Sequence, residues 1–217
     1  MIASRRDIWA IGLGTALLVW LAGALLPALR MAENGLSDFV RVSLGPAAPM
    51  AGNIALVTIT EETLGRLPYR SPVDRNMLAD AVDKIAASGA KGLAFDILFD
   101  QPTEAQADQR LYLSLRNAAK VMPIVTAYAD EGDKLTPVQA KFLKLFTQGL
   151  KPGLVNLVAD PDDGVVRWIL MGKEMPGQGP VQGFAAALAG LDGSQADGTM
   201  PLSYARAPND IPSYPLH

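Results

Sequence analysis

The sequence predicts an α/β fold, with a mixed, partly parallel sheet flanked by helices and preceded by one N-terminal transmembrane helix. Three observations carry this. Ile8 to Leu29 is an apolar run without a charged residue. After it, β-branched apolar runs alternate with amphipathic stretches of roughly 10–15 residues, the pattern of βαβ units. Finally, Asp160-Pro161-Asp162-Asp163-Gly164 is a turn sequence between two apolar runs, which adds a hairpin and makes the sheet mixed.

The apolar run comes first. It holds 22 residues. At ~1.5 Å per residue it would extend roughly 33 Å, against a hydrocarbon core of ~30 Å. Arg5 and Arg6 precede it and Arg30 follows it. Cytoplasmic flanks favour Lys and Arg, so the two-to-one bias places the N-terminus inside. A cleavable signal peptide would have a shorter apolar region and small residues at its cleavage site. Pro27-Ala28-Leu29-Arg30-Met31-Ala32 is a poor site of that kind, so an uncleaved anchor from Ile8 to Leu29 is expected. The expected location is the bacterial inner membrane, single-pass, with the globular part in the periplasm or outside the cell. Gly12 and Ala16, or Ala10 and Gly14, have the small-xxx-small spacing that lets two anchors pack as a homodimer. The same spacing is common in ordinary Gly- and Ala-rich membrane helices.

Residues 1–31 thus form a cytoplasmic tip and membrane helix, 32–52 a juxtamembrane connector, and 53–210 one globular domain. Asp38-Phe39-Val40-Arg41-Val42 could continue a helix until Gly45-Pro46 breaks it. Asn53–Thr60 reads as a buried strand, and Glu61–Gly65 as a short helical turn. Ser71 is expected to cap the next helix, with Pro72 at its first position and Asp74 as the capping-box acid. Met77, Leu78, Ala81, Val82 and Ile85 give that helix one apolar face, and Gly89 ends it. Lys91–Phe99 is the second strand. Asp108 is expected to cap a helix bearing Leu111, Leu115 and Ala118. Val121–Ala127 is the third strand, with Pro123 pointing to an edge or bulge. Thr136-Pro137 starts a helix running to Gly149, and Ala129–Lys134 is a solvated loop. Leu154–Val158 and Val165–Met171 are expected to pair around the Asp160–Gly164 turn. An Ala-rich helix over Gln182–Ala189 and a short strand at Leu202–Tyr204 complete the reading.

Composition narrows the chemistry. There is no cysteine, so disulfides, thiolate nucleophiles and Cys-type zinc sites are excluded. The single histidine is His217, which argues against His-based acid–base chemistry and His metal clusters. A net charge of −3 offers no polybasic surface, so no nucleic-acid partner is expected. There is no P-loop, G-x-S-x-G or H-E-x-x-H, and no cofactor is called for. The acids of Asp160–Gly164 do not follow a calcium-loop register, because glycine is fifth and Met171 stands at position twelve. A plain turn is expected there.

Asp96 stands inside the apolar run Phe95-Asp96-Ile97-Leu98-Phe99-Asp100. A carboxylate buried in a strand is costly unless paired or hydrogen-bonded. Near the carboxyl end of a parallel strand, such a group commonly faces the ligand crevice. The plainer alternative is that it accepts hydrogen bonds from loop amides or pairs with an arginine. Arg75 and Arg167 are the candidate partners.

These blocks together resemble a known family. A hydrophobic strand runs into Ile59-Thr60-Glu61-Glu62-Thr63-Leu64, then comes Leu67-Pro68-Tyr69-Arg70. Ser88-Gly89-Ala90-Lys91 leads into Gly92-Leu93-Ala94-Phe95-Asp96-Ile97-Leu98-Phe99, and Asp162-Asp163-Gly164-Val165-Val166-Arg167 follows, with Leu202-Ser203-Tyr204 later. From about Asp38 to Pro208 the chain resembles CHASE2, the extracytoplasmic sensor domain of bacterial transmembrane receptors. The resemblance implies a sensory input module that follows a transmembrane helix. It also implies a cyclase or kinase output beyond these 217 residues. Asp96, Gly164 and Arg167 match the family's recurring pattern, with Pro68 and Arg70 less closely. Thr60 stands where the family often has Asp, and Tyr69-Arg70-Ser71-Pro72 replaces a Trp-Pro-Arg-like stretch.

The expected ligand residues are therefore Asp96, Asp100 and Arg70, with Arg167 as a structural or ligand-pairing group. The signal would be a small molecule or an envelope component. Two other readings stand beside it. One is a membrane-anchored α/β enzyme in which Asp96 and Asp100 hold Mg²⁺. The other is a non-catalytic envelope assembly protein.

Overall fold

The computed structural model describes residues 5–45, 53–129, 135–175, 179–190, 198–202 and 211–216. The chain divides into two units. The described part of the first is residues 5–45 with the turn Ala159–Val165, and all other described residues form the second.

In the first unit the predicted single helix is two. Helix α1 covers Arg5–Leu25 and α2 covers Pro27–Leu44. Leu26 is extended, at φ −108° and ψ 104°, and Pro27 occupies the first position of α2. The cause is local. Proline lacks the N–H that would continue the ladder, its ring clashes with the carbonyl four residues back, and it pushes the preceding residue out of the helical region. The expected span Ile8–Leu29 is therefore interrupted before its end. Among the described residues no single helix is long and apolar enough to cross a membrane, whereas α1 and α2 pass together as a pair bent by 93°. Within α1, Thr15 Oγ1 donates to the Ile11 carbonyl at 2.9 Å, so its hydroxyl is satisfied inside the helix. Helix α2 reaches Leu44, further into the connector than Val42. Gly45 follows as its C-cap.

In the second unit, β1 (Leu56–Thr58) leads through α3 (Glu61–Gly65) to α4 (Arg75–Ala87). Then come β2 (Leu93–Phe95), α5 (Ala105–Ala118), β3 (Ile124–Tyr128), α6 (Pro137–Phe146) and β4 (Lys151–Leu154). Strands β2, β3 and β4 form a parallel sheet in that order, with Ala94 opposite Val125 and Thr126 opposite Pro152. All five residues of β3 are buried, as a strand covered on both faces requires. Pro123 therefore does not mark an edge. It precedes the central strand, and its carbonyl accepts from the Leu93 N–H at 3.0 Å.

Next, β5 (Val158–Ala159), β6 (Val166–Met175), β7 (Gly179–Gln182) and β8 (Gly198–Pro201) form a second sheet. Both β7 and β8 pair antiparallel with β6. The expected strand Leu154–Val158 is not one element, because Leu154 closes the parallel sheet and Val158 opens β5. Helix α7 is Phe184–Leu188, inside the expected Ala-rich segment. Finally β9 (Ser213–Pro215) lies parallel to β1, with Val57 opposite Tyr214. The expected loop at Ala129–Lys134 lies almost wholly outside the described residues, and so do Ser203 and Tyr204 of the expected last strand. The fold class is thus mixed α/β, with parallel and antiparallel sheets and flanking helices.

The helix caps explain the element starts. Thr136 and Gln139 form a reciprocal capping box on α6. Asp74, rather than Ser71, caps α4, its carboxylate accepting from the Met77 N–H at 2.8 Å. Helix α5 begins after Glu104, earlier than expected, which puts Asp108 inside its first turn. The core joins Leu78 and Val82 of α4, Leu111 and Leu115 of α5, and Leu143 and Phe146 of α6. Phe95 and Phe99 complete this group.

Candidate functional site

The amino end of α5 lies beyond the carboxyl end of β2, because Asp96–Glu104 connects them directly. The amino end of α4 sits beside it, fixed by one ion pair. Arg75, first residue of α4, points Nε at Asp108 Oδ1 of α5 at 3.4 Å and donates from Nη2 to the Gln101 carbonyl at 3.3 Å. Its guanidinium lies over the Phe99 ring, 4.8 Å from the centroid, and over Phe146 at 5.7 Å. Arg75 is only 1% exposed. Burial pulls its guanidinium below the ordinary arginine value, and the Asp108 carboxylate opposes this. One nitrogen, Nη1, is buried without a hydrogen-bond partner. Asp108 also accepts from the backbone N–H and the hydroxyl of Thr103, both at 2.8 Å. The acid expected as a cap instead organises the β2–α5 loop and the buried arginine.

An open cleft of about 330 Å³ adjoins these helix ends, lined by Pro68, Tyr69, Asp74, Asn76, Glu104 and Gln106. Tyr69 donates its hydroxyl to Glu104, at 2.9 Å to Oε2. That hydrogen bond is the main reason the phenol is held above its ordinary pKa, and desolvation adds to it. Across the same helix pair, Arg110 of α5 pairs with Asp80 of α4 and reaches Asn76 Oδ1 at 3.4 Å. Such a cleft presents a phenol, two carboxylates and two amides. It suits hydrogen-bonding, neutral or cationic ligands rather than anions.

The four expected residues lie in different surroundings. Asp96 falls just past β2 and is exposed, so the premise that it sits buried in a strand fails. The strand stops at Phe95, and the following residues leave the ladder. Arg75 does not pair with it. Asp100 is half-buried and accepts from Gln139 Nε2 of α6 at 2.7 Å. Arg70 is exposed and pairs with Glu61 of α3. Arg167 is buried in β6, and its carbonyl accepts from the Leu202 N–H at 2.8 Å. Among the described residues no group of three or more His, Cys, Asp or Glu is placed to hold a metal ion. Sequence reasoning missed Tyr69 with Glu104 and Arg75 with Asp108, pairs separated by 35 and 33 positions. Only Pro68 and the Asp74-Arg75 start of α4 hinted at the place.

The CHASE2 family model matches residues 15–216, nearly the whole chain. The chain belongs to the CHASE2 family. CHASE2 is a sensory, non-catalytic domain of signalling receptors, and CHASE2 domains are extracytoplasmic sensors of membrane receptors. No curated protein and no solved structure matches the chain. The CHASE2 match begins inside α1 and takes in all of α2 with the globular part.

Proposed function

We propose that this CHASE2 chain is the extracytoplasmic input of a bacterial inner-membrane receptor, with α1 as its anchor. The output, an adenylate or guanylate cyclase or a sensor kinase, would lie outside these residues. The observation that carries the reading is the family match, which begins at residue 15 inside helix α1 and runs on through α2 and the globular part. Helix α1 has 21 residues, roughly 31 Å at ~1.5 Å each, and exposes apolar side chains on every side, Trp9, Ile11, Val19 and Leu21 among them. A short apolar stretch is accommodated by local bilayer thinning and by snorkelling of flanking arginines, here Arg5 and Arg6.

The signal is a small molecule or an envelope component that meets the cleft by Tyr69 and Glu104. Asp100 and Arg70 stand on neighbouring segments, and exposed Asp96 is reachable by a ligand without unfolding a strand. Arg167 acts as a structural group of β6. Signalling then requires that the ligand bind two conformations of the domain with different affinity. Two anchors packing through Gly12 and Ala16 would place two such domains in one receptor.

The test is topological. Alkaline phosphatase fused after Gly45 should be active in living cells, and fused after Arg6 it should be inactive. An inactive Gly45 fusion would overturn both the anchor and its orientation.

A further inference from the structure

Helix α2 turns its polar side inward. Three of its residues are half-buried while every other described one is exposed, and these three are Arg30, Asn34 and Asp38. They stand four apart, on one face of the helix. Arg30 and Asn34 reach the Asp160–Gly164 turn, through Asp162 at 2.7 Å and Asp160 at 2.9 Å. Exposed Glu33, Ser37 and Arg41 flank this row, and the large apolar residues gather on the opposite side of the helix. Leu36 is 64% exposed, Phe39 66% and Leu44 77%, with Leu29, Val40 and Val42 also exposed. No residue of α2 is buried. A surface helix of a globular protein is arranged the other way round.

We propose that α2 is an interfacial helix, its apolar face lying in the headgroup boundary of the bilayer that holds α1, and its polar row gripping the Asp160–Asp162 turn above. The inference rests on the reading of α1 as an anchor. Four features of the chain favour a lipid surface over a second copy. The apolar arc covers about half the helix, wider than the narrow seam of a two-helix contact. It continues directly from α1, whose exposed side chains are apolar all round. The 93° bend at Leu26-Pro27 lays α2 across the direction of α1, as an in-plane helix requires. And Arg30, Glu33, Asp38 and Arg41 forbid α2 from entering the hydrocarbon core itself.

The absence of cysteine makes the test direct. Single variants Leu36→Cys, Phe39→Cys, Ser37→Cys and Leu17→Cys of the full chain would carry a nitroxide label in phosphatidylcholine–phosphatidylglycerol vesicles. Accessibility to oxygen and to a water-soluble nickel chelate is then measured. The proposal expects the oxygen-to-nickel ratio at 36 and 39 to be several-fold higher than at 37, with 17 deepest of all. Labels at 36 and 39 as wet as 37, with 17 in lipid, would overturn the interfacial helix and leave the anchor standing. All four wet would overturn both. Labels at 36 and 39 shielded from both reagents, with spin–spin broadening relieved by unlabelled chain, would assign the face to a second copy and overturn the proposal.

Discussion

Arg30 and Asp162 form a two-point ion pair across 132 positions of sequence, with Nε 2.7 Å from Oδ2 and Nη2 2.8 Å from Oδ1. Paired in this fork geometry, guanidinium and carboxylate fix orientation as well as charge. The third nitrogen, Nη1, donates to the Ala24 carbonyl at 2.9 Å, in the last turn of α1. One side chain thus spans the Pro27 break and holds the β5–β6 turn. The turn is itself ordered by its own acids. Asp160 accepts from the Asp162 N–H at 2.9 Å and Asp163 from the Val165 N–H at 3.0 Å.

That pair predicts a pH dependence. The Arg30 hydrogen bond holds the Asp162 carboxyl below the usual aspartate range, and partial desolvation only opposes it. A depressed carboxylate contributes stability above its unfolded pKa and loses it as pH falls through the folded value. The α2–turn contact should therefore be intact at neutral pH and released only in acid, below the ordinary aspartate range. Arg30→Gln should bring the Asp162 titration, followed by carboxyl-carbon NMR of the full chain, back up toward the ordinary value. An unchanged titration would show that the pair does not form in solution.

The buried arginine predicts an asymmetry between two truncations. Asp108→Ala leaves the Arg75 charge buried beside two phenyl rings and strips Thr103 of its acceptor. Breaking a buried pair this way costs about 3–5 kcal/mol. Arg75→Met removes the charge and fills much of the same space between Phe99 and Phe146, so it should cost clearly less. Urea unfolding of the two variants decides the matter. Equal losses would mean that the pair, rather than the stranded charge, carries the energy.

How much of this was legible in the sequence follows from how local each cause is. The face of α4, the Thr136-Pro137 start of α6 and the Asp160–Gly164 turn were readable because neighbours within four residues decide them. Helix α7 was readable for the same reason. The pairing of β9 with β1 was not, since 157 positions separate Leu56 from Ser213 and no short pattern marks a parallel partner. The break at Pro27 was written in the sequence, yet the hydropathy of Ile8–Leu29 overrode it, although a missing N–H is not restored by apolar neighbours. Asp96 was misplaced because a β-branched apolar run looks the same whether the ladder stops at Phe95 or continues. The candidate cleft depends on contacts between helix ends more than 30 positions apart, which only the fold brings together.

Close packing predicts that Gly183 tolerates no side chain. A Cβ built there would lie 1.7 Å from the Leu170 carbonyl oxygen, a backbone atom that cannot swing away. The Gly183 N–H also donates to the Met171 carbonyl at 2.8 Å, which ties the start of α7 to β6. Overpacking of this kind costs about 1–3 kcal/mol or more. Gly183→Ala should lower the unfolding midpoint in urea. Gly65→Ala, where nothing lies within 4 Å, should leave it nearly unchanged. Equal midpoints would show that β6 and α7 do not approach in this way.

Asp96 supplies the sharpest test of the site. Were it a buried structural carboxylate, removing it would strand its partners and cost stability. It is exposed instead, one residue past the end of β2, and substitutions at such positions usually stay within about 0.5 kcal/mol. Asp96→Ala should therefore unfold at the same urea concentration as the parent chain. Any loss of receptor response in that variant would then be a loss of recognition and not of folding. The readout is output activity of a receptor carrying the variant, measured beside its unfolding curve. A destabilised variant would return Asp96 to a structural role, and a stable one with full response would remove it from the site and leave Tyr69 and Glu104 as the residues to test next.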